Sequence, residues 1–402
     1  MIIGIIGGGA SGMAAAIAAA QWECNEVILF ERQARLGRKL QATGNGRCNL
    51  SNLNMDLQHY HGDAPAFAAP ALDRFGVEET LHWFRDLGLC TVCETTGRVY
   101  PYSDQANSVV DVLRFALENP HIQVKTGVEV TRVKKTGDVF LVETAEETVR
   151  CDRLIIACGG LAGTKLGGSL SGYSLLRSFG HRCSKLRPNL VQIKSDWSGC
   201  ASLKGVRANC AARILCDGIV HSVGSGELQF TEMGLSGPVI FELSRDVCQK
   251  KGYWTCRLDL LPQLTGAELL QMLEKKRHGK LLAEELLTGI LHNRLGRVIC
   301  KAVGINASKP IGALTDLDLE AVCRAVKDFE IHLTEPLGMD AAQVTAGGIV
   351  TAEFDPHTME SRLVPGLFAC GEVLDIDGDC GGYNLQWAWS SGRLAGESAG
   401  AP

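Results

Sequence analysis

The feature that most constrains the fold is a strand–turn–helix–strand pattern in the first 31 residues. Residues 1–6 form a short run rich in isoleucine, which is typical of a strand buried on both faces and therefore favours a parallel sheet. Gly7, Gly9 and Gly12 follow in the spacing Gly-x-Gly-x-x-Gly, and the small apolar residues after them favour a helix. Residues 27–30 predict the next strand, so the segment is one β-α-β unit.

Each glycine of this turn has a mechanical role in binding two linked phosphates. Gly7 permits the tight turn after the strand, Gly9 lets a pyrophosphate approach the backbone, and Gly12 lets the helix pack close to the sheet. Glu31 stands where an acidic side chain binds ribose hydroxyls and would repel a 2′-phosphate, which favours FAD or NAD. The alternative is a glycine-rich turn in an ordinary α/β protein. The predicted dinucleotide-binding residues are Gly7, Gly9, Ala10, Ser11, Gly12, Glu31 and Arg32.

A polar loop at residues 37–52 offers cations, amides and glycines in close succession. Such a loop can wrap an extended anionic cofactor, because its glycines permit positive φ and its side chains can bind phosphates and polar rings. A solvated surface loop is the alternative on composition alone. The candidate cofactor-binding residues of this loop are Arg38, Lys39, Thr43, Gly44, Asn45, Gly46, Arg47, Cys48 and Asn49.

Two later segments repeat the pattern of a buried strand that runs into glycine. Residues 154–160 are similar to the late strand of a Rossmann sheet, whose end abuts the cofactor, and residues 366–375 end in glycine followed by carboxylates. A helix predicted from 383 to about 399 can turn its N-terminus toward the electron-rich edge of a flavin. NAD-binding domains generally lack such a returning segment, which favours FAD. The candidates here are Cys158, Gly159, Gly160, Gly371, Glu372, Asp375, Gly381, Gly382, Tyr383, Asn384 and Leu385.

Taken in order, these motifs resemble those of a known family. The matching segments are similar to those of the BaiN-like bacterial flavoproteins, also called aminoacetone-oxidase-type FAD-binding enzymes. They lie at residues 37–49, 97–101, 226–231, 234–238, 344–348, 358–361, 371–375 and 381–385. The resemblance implies FAD as the cofactor, NAD(P)H as a transient reductant, and Val130 beside the adenine. It also implies an oxidoreductase, because some relatives are assigned to the reduction of conjugated double bonds in steroid or bile-acid enones.

The resemblance and the order of elements together predict an α/β fold with three parts. A discontinuous Rossmann-type FAD-binding domain, glutathione-reductase-like, covers 1–188 and 335–402; an inserted β-rich domain covers 189–261 and 327–334; and a nested helical subdomain covers 262–326. Within these parts we expect a hairpin turn at 136–138, strands over most of 188–260, and helices at 267–277, 281–291 and 317–326 with Thr265 and Asp316 as caps.

Composition limits the expected partners and compartment. The chain has 40 Lys and Arg against 45 Asp and Glu, so binding to nucleic acid or to an anionic membrane is not expected. Its 16 cysteines are scattered without repeated spacing, which favours reduced thiols in the cytoplasm. No basic region precedes the apolar N-terminus, so a signal peptide is not predicted. His59 and His61 lie in a polar loop, and no metal site is expected.

The sequence does not identify the catalytic residues. Cys48 is a candidate proton donor or thiol acceptor, although a packed thiol is the simpler interpretation. Tyr383 is a candidate donor to a substrate carbonyl, although a structural aromatic covering the flavin is the alternative. Three functions stay open: an NAD(P)H-linked FAD oxidoreductase acting on an unsaturated or carbonyl small molecule, a flavin-dependent RNA-modifying enzyme, and a non-catalytic FAD-binding sensor. The oligomeric state and any redox role of Cys90 and Cys93 also stay open.

Overall fold

The structure is a computed structural model that describes residues 1–402, and it separates into two compact units. The first unit is Met1–Arg187 together with Gln343–Pro402, and the second is Pro188–Ala342. Each unit is built around a hydrophobic core of its own. None of the helices combines the length and the apolarity that crossing a membrane requires.

The chain forms 21 strands, most of them short. In order they are β1 (Ile2–Ile6), β2 (Glu26–Glu31), β3 (Ser51–Asn52), β4 (Tyr60–His61), β5 (Thr91–Cys93), β6 (Arg98–Pro101), β7 (Ile122–Thr126), β8 (Val130–Thr136), β9 (Val139–Thr144), β10 (Thr148–Cys151), β11 (Arg153–Ile156), β12 (Arg187–Asn189), β13 (Ile193–Lys194), β14 (Arg207–Cys216), β15 (Ile219–Phe230), β16 (Gly234–Ser236), β17 (Trp254–Asp259), β18 (Phe329–Leu333), β19 (Val344–Ala346), β20 (Leu367–Ala369) and β21 (Asp377–Gly378).

Twelve α-helices accompany these strands. They are α1 (Ala10–Ala19), α2 (Arg38–Ala42), α3 (Ala69–Arg74), α4 (Val77–Asp86), α5 (Ala106–Ala116), α6 (Ser171–Ser178), α7 (Gly199–Ser202), α8 (Pro238–Gln249), α9 (Gly266–Arg277), α10 (Asn293–Ala302), α11 (Asp316–Lys327) and α12 (Tyr383–Gly400).

A five-stranded parallel sheet with the order β20-β11-β1-β2-β7 forms the centre of the first unit. Ile5 of β1 lies opposite Ile155 and Leu29, and all three side chains are fully buried, as expected for a strand covered on both faces. Helices α1 and α12 pack closely, because a side chain at Gly392 would come within 2.4 Å of the Ser11 carbonyl oxygen. The predicted α/β class with a parallel Rossmann-type core is confirmed.

The first unit also carries a three-stranded antiparallel sheet, β10-β9-β8, whose hairpin turn lies at Gly137 as the sequence predicts. Two small pairings are more important for the site. Strand β3 pairs with β6, and β4 pairs with β21, so that residues near 60 lie beside residues near 378.

A six-stranded sheet with the order β13-β16-β15-β14-β17-β18 organises the second unit. Every pair of neighbouring strands in this sheet is antiparallel. Helices α9, α10 and α11 share one core with the sheet, since Leu273, Ile299 and Leu319 belong to the same buried cluster as Leu258 and Ile331. The segment expected to be a nested helical subdomain is therefore packed into the core of the β-rich unit.

Some local predictions in the second unit were wrong. Residues 238–249 form helix α8 instead of strand, because Pro238 follows Gly237 at a positive φ of 97° and the apolar side chains then repeat on one helical face. Residues 281–291 form only a short turn of 3₁₀ helix, since Gly289 adopts a positive φ and the preceding backbone pairs with residues 307–310.

Helix boundaries differ from the expectation in a similar way. Helix α9 begins after Thr265, whose hydroxyl accepts a hydrogen bond from the Glu268 N–H, as predicted. Helix α11 is capped by Thr315 instead of Asp316, again with the side-chain oxygen accepting from an N–H in the first turn. Helix α10 was not predicted, although its buried residues Leu295 and Ile299 repeat on one helical face.

Candidate functional site

The glycine-rich turn between β1 and α1 is shaped by close backbone contacts. Gly7 has a φ of 114°, and a Cβ there would lie 2.4 Å from the Ala157 carbonyl oxygen. A Cβ at Gly12 would lie 1.8 Å from the Gly7 carbonyl oxygen, so that larger residues are excluded at both positions. No atom lies within 4 Å of the equivalent point at Gly9. The turn is therefore open where a phosphate would approach the free N–H groups of the first turn of α1, which begins at Ala10.

Glu31, at the end of β2, lies beside this turn. Its Oε2 accepts a hydrogen bond from the Gly8 N–H at 2.7 Å, and its Oε1 accepts from the Gln33 N–H at 2.7 Å. A cleft begins here, and among its lining residues are Gly7, Glu31, Arg32, Val130 and Cys158. The structure thus brings together five residues that the sequence nominated for cofactor binding.

The three cations nominated in the polar loop already have partners in the fold. Lys39 forms an ion pair with Glu372 at 2.8 Å, and Arg38 donates to the side chain of Gln33 at 2.7 Å. Arg47 is paired with Asp104 and Glu94, and its guanidinium lies 4.0 Å over the ring of Tyr100. These contacts anchor the polar loop to Glu94, Tyr100 and Asp104, a structural role for Arg47 that the sequence did not indicate.

The backbone of the same loop turns through several left-handed residues. Gly44, Asn45, Gly46 and Cys48 all have positive φ, and the first three are exposed. The Thr43 hydroxyl donates to the Leu40 carbonyl oxygen at 2.7 Å, which ties the loop to α2. The loop therefore offers glycines and exposed backbone around a defined curve.

Cys48 and Asn49 differ sharply in their surroundings. The Cys48 thiol is fully buried, and burial raises its pKa to about 12, so it is protonated and packed at neutral pH. Asn49 Oδ1 is buried without a hydrogen-bond partner, close to the backbone of Gly382. An acceptor left unpaired in this way is costly unless a ligand supplies a donor. The pyrimidine edge of a flavin carries such an N–H.

The C-terminal segment returns to the glycine-rich turn. Gly371 has a φ of 75° and lies against Ser11, and a Cβ at Gly160 would lie 2.5 Å from Glu372 Oε1. Glu372 also accepts a hydrogen bond from the Thr345 N–H at 2.7 Å. Asp375 is buried, and burial raises the pKa of its carboxyl group. The carboxylates nominated after β20 therefore lie in the first unit, and Glu372 directly follows a glycine that packs against Ser11 of α1.

Helix α12 begins at the Gly381–Gly382 pair. Gly382 has a φ of 106°, and a Cβ there would lie 2.4 Å from the Ser51 carbonyl oxygen. Asn384 makes hydrogen bonds of 2.8 Å to both the N–H and the carbonyl oxygen of Gly378, while Leu385 is half-buried. Gly382, the residue that precedes this 18-residue helix, lies next to the unpaired oxygen of Asn49.

The sequence missed a cluster of two histidines and a carboxylate at the start of α12. Asp379 Oδ2 lies 2.9 Å from His59 Nδ1, and its Oδ1 lies 2.7 Å from His61 Nε2. The His59 ring stacks on the Tyr383 ring with 4.3 Å between centroids. The only local signal was the His-x-His spacing, because 318 residues separate His61 from its partner.

Electrostatics in this cluster favour an ionised carboxylate. Burial acts to raise the pKa of Asp379, but hydrogen bonds from His61 and His59 outweigh burial and hold that pKa below its ordinary value. Both imidazoles remain partly exposed, at 26% for His59 and 30% for His61. The cluster can therefore exchange protons with solvent while its geometry is fixed by the fold.

Other candidate groups are less organised. No set of three or more His, Cys, Asp or Glu side chains is arranged to hold a metal ion. Cys90 and Cys93 are both exposed and free, at either end of the short strand β5. The structure gives neither thiol a partner that would mark a redox pair.

The nominated residues all lie in the first unit. They include the cleft at Glu31, the open turn at Gly9 and the unpaired oxygen of Asn49 next to Gly382. An extended dinucleotide with an N–H-bearing ring at its far end fits this sequence of features, and FAD is such a molecule.

Comparison with known proteins gives a consistent family assignment. The family model described as the HI0933-like protein Rossmann domain matches residues 1–398. The 3-dehydro-bile acid delta(4,6)-reductase of Clostridium scindens is 40% identical over 407 residues, which cover 99% of this chain and 98% of that protein. The ribosomal RNA dihydrouridine synthase of Escherichia coli is 32% identical over 391 residues, which cover 96% of this chain and 95% of that protein.

Among solved structures, the E. coli quinol fumarate reductase FrdA is similar in fold, with a TM-score of 0.50 and 19% sequence identity. The alignment covers 100% of this chain and 70% of FrdA. That likeness shows a shared fold. The match of the family model over nearly the whole chain is more specific. The chain therefore belongs to the HI0933-like family of Rossmann-type flavoproteins, with FAD as cofactor and oxidoreduction as the class of activity.

Proposed function

We propose that the protein is an FAD-dependent reductase that takes electrons from NAD(P)H and adds hydrogen across a carbon–carbon double bond conjugated with a carbonyl group in a steroid-like molecule. The observation that carries this proposal is the 40% identity, over 99% of the chain, to a 3-dehydro-bile acid delta(4,6)-reductase. The name of that relative specifies a 3-oxo group and two double bonds. The BaiN-like resemblance supports the same substrate class.

A second candidate is reduction of a uracil ring in ribosomal RNA. It is favoured by the 32% identity to a ribosomal RNA dihydrouridine synthase. The two candidates share their chemistry, since the double bond of uracil is also conjugated with a carbonyl group. The steroid-like substrate is preferred because residues 188–342 contain 18 Lys and Arg against 18 Asp and Glu, and the whole chain carries a formal charge of −5. RNA-binding proteins usually present excess positive charge.

We assign the nominated residues to successive parts of FAD. Glu31 and Val130 would contact the adenosine, and residues 9–12 would bind the pyrophosphate through free N–H groups. Glu372, held by Lys39, would bind the ribityl chain. In the same proposal the first unit is the FAD-binding domain, and the 16 free cysteines suit the reducing cytoplasm.

Residues at the start of α12 would bind and shield the flavin end of FAD. The bound flavin supplies the hydride that is transferred to the substrate. Asn49 Oδ1 would accept the N–H of the pyrimidine edge, and the N-terminus of α12 would stabilise negative charge at that edge. Tyr383, the first residue of α12, would cover this end of the site and separate it from solvent.

The test is steady-state turnover of FAD-loaded protein with NADH or NADPH and a panel of acceptors. A 3-oxo-4,6-diene steroid should gain two mass units, while the matching saturated ketone should not react. Ribosomal RNA assayed by mass spectrometry for dihydrouridine is the competing arm. Reduction of RNA with no reaction of the dienone would replace the first candidate with the second. Flavin reduction with no turnover of any acceptor would favour a sensor.

A further inference from the structure

The His59–Asp379–His61 cluster is a group of titratable side chains at the start of α12 to which the proposed function gives no role. Its geometry is fixed from both sides. Strand β4 pairs with β21, the Asp379 N–H donates to the His59 carbonyl oxygen at 2.9 Å, and Asn384 holds the intervening backbone. The carboxylate therefore accepts from two imidazoles that cannot easily drift apart.

Other proton-bearing groups near the start of α12 are less available. Cys48 is fully buried, and the Tyr60 hydroxyl is buried and donates to the Tyr383 carbonyl oxygen at 3.0 Å. Burial raises the pKa of both groups, which keeps them protonated near neutral pH. Tyr383 itself is only 5% exposed. By contrast, His59 is partly open to solvent and lies directly on the Tyr383 ring.

We propose that His59 donates the proton required for reduction of the conjugated double bond, and that Asp379 and His61 are positioning residues that hold its ring. The hydrogen bond to Asp379 uses Nδ1 of His59, which leaves Nε2 for the substrate. This inference rests on the proposed function, because it assigns a role within that reaction.

Bound flavin, reduced beforehand by NAD(P)H, would supply the hydride, so that two electrons leave the nicotinamide and enter the substrate. The hydride adds to the far carbon of the conjugated double bond, and the π electrons shift toward the carbonyl group. The proton from His59 Nε2 then forms the second new C–H bond, so the substrate gains two hydrogens and loses one double bond. His59 becomes neutral and regains a proton from solvent at its exposed edge, while Asp379 stays ionised throughout.

The experiment separates the two half-reactions of the FAD-loaded enzyme under anaerobic conditions. Variants His59→Gln, Asp379→Asn and His61→Gln are reduced with NAD(P)H and then mixed with the 3-oxo-4,6-diene steroid. Reoxidation by the dienone should slow about 100-fold in His59→Gln, the usual scale of a lost general acid, and less in the two positioning variants. Reoxidation by ferricyanide, which needs no proton on its product, should change less than about twofold in every variant.

Two controls exclude a merely structural effect. His82 is an exposed histidine on α4 with no hydrogen bond or ion pair, and His82→Gln should match the parent protein. Added imidazole should restore part of the dienone reaction in His59→Ala. Normal reoxidation of His59→Gln by the dienone, or equal slowing with ferricyanide, would overturn the inference alone. Failure of the parent protein to react with any dienone would overturn the proposed function, and the inference with it.

Discussion

The first unit contains two histidine–carboxylate clusters with similar composition and opposite surroundings. In one, His181 Nδ1 lies 3.0 Å from Glu353 Oε2 and its Nε2 lies 3.0 Å from Ser361 Oγ. The side chain of His181 is 0% exposed and that of Glu353 is 11% exposed. In the His59–Asp379–His61 cluster, by contrast, every side chain is at least a quarter exposed.

The comparison teaches that residue types do not by themselves define chemistry. Ser361, His181 and Glu353 have the composition of a hydrolytic triad, but the Ser361 oxygen accepts hydrogen bonds from the N–H groups of Leu363 and Val364. That serine closes a turn, and its histidine cannot reach solvent. The buried cluster is therefore structural, whereas the exposed cluster beside α12 can exchange protons with a substrate.

The largest effect is expected from Gly382→Ala. This substitution changes the backbone at the start of α12, beside the exposed cluster, and leaves the buried cluster intact. A Cβ at Gly382 would collide with the Ser51 carbonyl oxygen in a backbone conformation that alanine tolerates poorly. We expect loss of FAD and of about 3 kcal/mol of stability. Gly180→Ala is the control, since its φ is also positive but no atom lies near the added group. Equal FAD content in the two variants would contradict the account of the site.

Glu353→Gln should have the next largest effect and should act on stability alone. Glu353 accepts hydrogen bonds from His181 and from both the backbone and the guanidinium of Arg182. Weakening these charge-assisted bonds, of which the one to His181 is buried, should lower the free energy of unfolding in urea by about 2–3 kcal/mol, while turnover per folded molecule stays unchanged. Asp379→Asn should cost less than about 1 kcal/mol, because that cluster is partly exposed. A larger loss of stability in Asp379→Asn than in Glu353→Gln would contradict the distinction between the two clusters.

Acid should destabilise the buried cluster in a predictable direction. Burial lowers the pKa of His181, and hydrogen bonds from Arg182 and His181 outweigh burial and lower the pKa of Glu353. As the pH falls through 6.5 and then 4.5, the unfolded chain takes up these protons before the folded one, so the free energy of unfolding falls. In His181→Asn the decline that begins near pH 6.5 should be reduced. An unchanged pH profile of unfolding in that variant would contradict this assignment.

The smallest effect is expected from Cys48→Ala. Cys48, like His181, is fully buried and therefore has a structural role. A packed thiol with a pKa of about 12 has no role as an acid or nucleophile at neutral pH. Turnover should therefore stay within about twofold, and stability should fall by about 1 kcal/mol for the small cavity. A large loss of turnover with normal FAD content would restore Cys48 as a catalytic candidate.

The sequence predicted those parts of the molecule that depend on neighbouring residues. The β1–α1–β2 unit was predictable because strand, turn and helix signals lie within 31 residues. The His59–Asp379–His61 cluster was not, because it forms only when β4 pairs with β21 across more than 300 residues. Similarly, Arg47 was nominated for the cofactor, but its pairing with Asp104 and Glu94 depends on tertiary contacts that local patterns do not encode.

The most direct test of the central claim is an anaerobic titration of FAD-loaded, NAD(P)H-reduced protein with a 3-oxo-4,6-diene steroid, followed through the flavin absorbance. We expect one equivalent of the dienone to restore the oxidised flavin spectrum and to leave as a product two hydrogens heavier. A flavin that stays reduced with excess dienone, yet is reoxidised at once by ferricyanide, would contradict the claim.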